Sequence, residues 1–179
     1  MKAVDRILGE AMTPYKKRIY NNPQMAVAWS KKHQRRFPEA EPYIAKDSIW
    51  AGCYAMDVIK GRWPEAEAAI AKDPRWAYYY TNEVIKGRWP EAEAVIAKDP
   101  QWAYYYARHV IKGRWLEAEA AIAADPNSAY LYARDVIKGR WPEAEAAIAK
   151  GEYKDEYLDE FPNTKLEWVV NGLMDWTDL

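Results

Sequence analysis

A chain of 179 residues, 50% of them hydrophobic, can bury a sizeable core and is too apolar to be a disordered tail. No apolar run approaches the roughly eighteen residues that cross a bilayer. The opening MKAVDRILGEAMTPYKKR also lacks the continuous apolar centre of a secretion signal, so a cytoplasmic protein without membrane association is expected. One cysteine, Cys53, and two histidines, His33 and His109, form neither an internal disulfide nor an ordinary zinc cluster, and neither metal nor cofactor is expected.

The net charge is −1, unevenly spread. Residues 1–46 hold ten Lys/Arg against four Asp/Glu, a net +6. Residues 47–150 hold fourteen against fifteen, and residues 151–179 hold two against eight, a net −6. Ten Trp and fourteen Tyr stand against two Phe. Such side chains, with an apolar body and a polar tip, suit half-buried positions.

In chain order, residues 1–46 read as a basic cap containing a degraded repeat unit, about Asn22 to Lys46, with Phe37 in a place later taken by tryptophan. Four units of 26 residues follow, at 47–72, 73–98, 99–124 and 125–150. The phrase VIKGRWPEAEA marks them at Val58–Ala68, Val84–Ala94 and Val136–Ala146, and at Val110–Ala120 with Leu116 for the proline. Trp63, Trp89, Trp115 and Trp141 are therefore 26 apart; Trp50, Trp76 and Trp102 form a second series that Ser128 breaks. Residues 151–179 read as a divergent acidic cap.

Within a unit, Asp73-Pro74 predicts a helix start, the Asp accepting from backbone N–H groups and the Pro fitting the first turn. Lys86-Gly87 predicts its stop, with the glycine taking a left-handed backbone. Trp89-Pro90-Glu91 begins a shorter second helix that ends before Asp99. Ala77, Tyr80, Thr81, Val84 and Ile85 make the inward stripe of the first helix; Trp89, Ala92 and Ile96 make that of the second. One 26-residue unit buries too little to fold alone, so units must stack. The expected fold is all-α: a right-handed α-solenoid of helix-turn-helix repeats with capping ends, a single domain over 1–179.

The phrases YAxxVIKGRWPEAE and DPxxAYxYA resemble a short α-helical repeat of bacteriophage and bacterial proteins. The likeness is strong over 47–150 and weak over 22–46. It implies no activity and carries over no functional residue; it suggests a phage-encoded protein acting in the host cytoplasm.

Two readings compete for the ladder Lys60-Gly61-Arg62 and its copies. One Arg and one Trp per unit could track phosphate and base; alternatively, each Arg lies along the following Trp and pairs with a carboxylate of the Glu91 type. The near-neutral repeats lack the positive field that nucleic acid requires, which favours the second. Lys16, Lys17, Arg18, Lys31, Lys32, Arg35 and Arg36 form a candidate patch for an acidic partner, or for the acidic tail of a second copy in a head-to-tail oligomer. Variable slots on the first helices carry Tyr78, Tyr79, Asn82, Tyr104, Tyr105, Arg108, His109, Tyr130 and Arg134, residue types that dominate binding hot spots; these are the candidate partner-binding residues. Glu65 and Glu67 lie on different sides of a helix and make no acid/base pair, and no phosphate loop or nucleophile motif is present. The chain reads as a non-enzymatic macromolecular-interaction protein: an adaptor or inhibitor binding a host protein, with a nucleic-acid binder or a self-assembling structural protein as alternatives.

Overall fold

The computed structural model describes residues 13–162, and every described regular element is a helix. The first twelve residues of the basic head and residues 163–179 of the acidic tail lie outside the described residues. Contacts gather into two compact units, Met1–Ala92 and Glu93–Leu179.

In the first unit, α1 (Pro14–Ile19) and α2 (Pro23–His33) precede the short α3 (Glu41–Ile44). Next come α4 (Ser48–Tyr54), α5 (Pro64–Ile70) and α6 (Pro74–Tyr80). α4 packs on α2, α5 and α6, and α5 packs on α6. The unit boundary falls within α7 (Pro90–Ile96).

The second unit holds α8 (Pro100–Tyr106), α9 (Leu116–Ala124), α10 (Pro126–Tyr132), α11 (Pro142–Ile148) and α12 (Lys154–Glu160). It repeats the scheme: α8 packs on α9 and α10, and α10 packs on α9 and α11.

The aspartates start the first helices as their position predicts. Asp73, Asp99 and Asp125 each accept, through Oδ1, the backbone N–H three residues on, and proline occupies each first turn. The second-helix stripes are buried: Trp63, Ala66 and Ile70 in one unit, Trp115, Ala118 and Ile122 in the other. Phe37, Ala40 and Ile44 hold the matching places in the degraded first repeat.

Two expectations are corrected. The first helices do not run as α-helix to the lysine: each opens into a π turn, at Ala55–Ile59, Thr81–Ile85, Ala107–Ile111 and Ala133–Ile137. The wider turn breaks the 3.6-residue period, so Ala77, Tyr80 and Thr81 are buried while Val84 and Ile85 are only half-buried. The left-handed residue is the lysine, not the glycine. Lys60, Lys86, Lys112 and Lys138 have φ of 57, 57, 60 and 58°, and a Cβ on any of the following glycines would meet nothing within 4 Å.

Candidate interaction surface

A single hydrogen-bonded clasp recurs through both units, built from the last tyrosine of a first helix and the phrase preceding it. The Tyr80 hydroxyl accepts from the backbone N–H of Trp63 at 2.7 Å and donates to Glu67 at 2.9 Å. Arg62 grips the same carboxylate with two bonds, 2.9 and 2.8 Å. Arg36, Glu41 and Tyr54 repeat this around Phe37, as do Arg114, Glu119 and Tyr132 around Trp115. In the last clasp, Tyr157 of α12 closes on Trp141 and Glu145, giving the final repeat the cover that a following first helix gives the others.

The arginine partner therefore differs from the Glu91-type carboxylate expected. Glu67 and Glu119 lie on the inner side of their helices and reach back to both Arg and Tyr; Glu65 and Glu117 lie outside and are exposed. Hydrogen bonds from Arg62 and Arg114 outweigh burial and hold Glu67 and Glu119 below the usual carboxylate range. Burial, and then hydrogen bonding to carboxylates, pushes the phenols of Tyr54 and Tyr80 up to about 12. These arginines already hold a carboxylate, and Trp63, Trp115 and Trp141 are buried, so the ladder offers no tryptophan face to a base.

The candidate partner-binding residues divide by burial. Tyr78, Tyr104 and Tyr130 are only 7, 2 and 5% exposed and belong mainly to packing. Tyr104 donates to Asp135 and accepts from Arg108; burial and the Asp135 bond push its phenol up to about 12. Tyr130 stacks on Tyr153 with centroids 5.0 Å apart, and Arg134 lies over its ring while gripping Asp135.

Tyr79 is 38% exposed and Tyr105 half-buried. His109 is exposed and stacks on Tyr105, centroids 5.9 Å apart and planes 11° apart. Burial and then Arg108 lower its pKa. Arg108 is exposed, and Asn82 is half-buried with a bond to Glu83. Tyr105, Arg108 and His109 thus form one polar-aromatic ledge in the second unit. Beside it, a cleft of 380 Å³ is lined by Tyr104, Tyr105, Ser128, Leu131 and both Asp99 and Asp125.

The basic patch is partly neutralised. Lys31 bonds Asp57 at 2.6 Å and Arg36 bonds Glu41. Lys16 lies over the rings of Trp29 and Phe37, and Arg35 over Trp29. Lys17, Arg18 and Lys32 are exposed. Cys53 is half-buried, and burial pushes its thiol up, which makes it a poor nucleophile. Among the described residues, no three His, Cys, Asp or Glu side chains gather as a metal site, and no helix is long and apolar enough to cross a membrane.

Comparison with protein-family models, curated proteins and solved structures gives no match.

Proposed function

We propose that the chain is a non-enzymatic binding scaffold, a right-handed α-solenoid that takes hold of a protein through the variable slots of its first helices. One observation carries the reading: the fixed tryptophans and tyrosines of the repeat are consumed by packing and by the clasp, whereas the aromatic side chains that vary from unit to unit include exposed ones. Tyr79, Tyr105, Arg108 and His109 are exposed or half-buried, and such residues join large contact area to a polar anchor. A scaffold that repeats its core and varies its surface separates fold from specificity. The resemblance to phage and bacterial repeats makes a host protein the natural partner and host cytoplasm the natural place.

Affinity capture from the native cell, comparing the wild-type chain with the double variant Tyr79→Ala/Tyr105→Ala, tests this. The variant keeps its helical signal and its melting temperature to within a few degrees, while the captured protein is lost. A partner retained in full, or a collapse of folding, overturns the assignment of those tyrosines to binding.

A further inference from the structure

We infer that the exposed guanidinium edge of Arg108 is a seat for a carboxylate, an aspartate or glutamate side chain that a protein partner presents to the ledge of Tyr105 and His109. The inference rests on the binding reading above and specifies what the partner must carry.

The repeat shows why this edge is open. At one pair of neighbouring slots the units carry Met56-Asp57, Asn82-Glu83, Arg108-His109 and Arg134-Asp135. In two of them the first residue is a donor and the second serves it: Asn82 donates to Glu83, and Arg134 grips Asp135 through Nε and Nη2 at 2.8 and 3.1 Å. Arg108 is followed by His109 instead, which has no carboxylate to give. Its Nη1 alone is engaged, on the Tyr104 hydroxyl at 2.6 Å and on Asp135, and among the described residues nothing takes Nε and Nη2. Those two nitrogens form the edge by which Arg62 and Arg114 hold Glu67 and Glu119. Such a planar fork matches a carboxylate with two parallel bonds.

Charge and order select the same occupant. Arg108 and Arg134 share the single carboxylate of Asp135, so the cluster carries two positive charges against one negative. One further carboxylate balances it, whereas a phosphoryl group, with about two negative charges at neutral pH, would overshoot. The Asp135 side chain is 14% exposed and that of Arg108 43%, which puts the anchor inside and the open edge outside. Two bonds at Nη1 restrain the guanidinium before a ligand arrives, and that lowers the entropy lost on binding. Burial and then the charge of Arg108 lower the pKa of His109, so this imidazole reports on whatever neutralises that charge.

The test is an NMR titration of the full chain at low salt with acetyl-Gly-Glu-Gly-amide, read at the Arg108 Nε–H and the His109 ring. Saturable shifts at both are expected, with the His109 pKa raised in the complex and with acetyl-Gly-Gln-Gly-amide weaker by about fivefold or more. Arg108→Lys keeps the charge but loses the fork, and should weaken the glutamate peptide by about threefold or more. Asp135→Asn removes the competing carboxylate and should tighten it; if that variant fails to fold, the Arg108→Lys comparison decides alone. Equal binding of the two peptides, equal binding by Arg108→Lys and wild type, or no saturable shift up to tens of millimolar peptide overturns the proposal. Tighter binding by inorganic phosphate, or by acetyl-triglycine through its terminal carboxylate, would give the edge to another anion and overturns it as well. A partner still captured by folded Arg108→Gln but lost in Tyr79→Ala/Tyr105→Ala overturns the carboxylate seat while leaving the scaffold reading standing.

Discussion

The hydroxyl of Tyr80 stands between the buried N–H of Trp63 and the carboxylate of Glu67, so its removal leaves a donor and an acceptor short of a partner at once. An unsatisfied buried polar group costs about 1–3 kcal/mol. Tyr80→Phe should therefore lower the urea midpoint by that equivalent, whereas Tyr15→Phe, at an exposed ring, should change stability by no more than about 0.5 kcal/mol; equal effects would deny the clasp a role. The same phenols set an alkaline limit. Tyr54, Tyr80 and Tyr104 sit near 12 in the folded chain against 10.0 when unfolded, so the neutral form is the one the fold favours. Their contribution is complete below pH 10 and is lost as pH rises through 12. Unfolding midpoints measured across that window should fall, and Tyr54→Phe with Tyr80→Phe should flatten the slope. On the acid side the sign reverses. Glu67 and Glu119 are depressed, so their contribution is present above 4.5 and fades as pH drops.

At the scale of the element, the lysine that ends each π turn holds a left-handed backbone, a conformation costing an L-residue about 1–2 kcal/mol. Glycine would remove that cost but regain roughly 0.5–1 kcal/mol of freedom in the unfolded chain. Lys60→Gly is therefore expected to raise stability by up to about 1 kcal/mol, and Gly61→Ala to be neutral or slightly stabilising, both measured by thermal melts; a marked loss in Gly61→Ala would mean the glycine carries the turn after all. This element also shows what could be read from residues alone. Asp73-Pro74 and Trp89-Pro90 announced their helices because capping and proline chemistry are local. The buried stripes of the second helices were equally legible, since burial there follows the helical period, whereas the first-helix stripe held only as far as Thr81. The π turns were not: nothing in AMDVI or TNEVI distinguishes a wide turn from an α turn, and the lysine's backbone angle follows from that turn. The clasp was half legible. An Arg–Glu pair was expected, but the choice of Glu67 over Glu65 depends on Tyr80, seventeen residues beyond Trp63, and only the packing of α6 against α5 brings it there.

For the whole molecule, the candidate surface was legible as a set of variable slots but not as a set of exposed side chains. Tyr78 and Tyr79 are adjacent and chemically identical, yet one is buried and the other exposed, because successive residues of a helix point to different sides. The cleft could be anticipated only as the broken series at Ser128, which lines it together with Tyr104 and Leu131. The proposed solenoid binds these observations together, since within each unit the clasp joins a phrase to the helix that follows it and would operate equally in a longer array. Insertion of one further copy of residues 73–98 adds one clasp and one nearest-neighbour interface, so the lengthened chain should melt higher. Small-angle X-ray scattering on that chain beside the wild type is the most direct test of the account. The proposed architecture predicts a maximum dimension greater by about 10 Å, the spacing of packed helices, with an unchanged cross-section; a particle that swells evenly in all directions, or keeps its length, would contradict it.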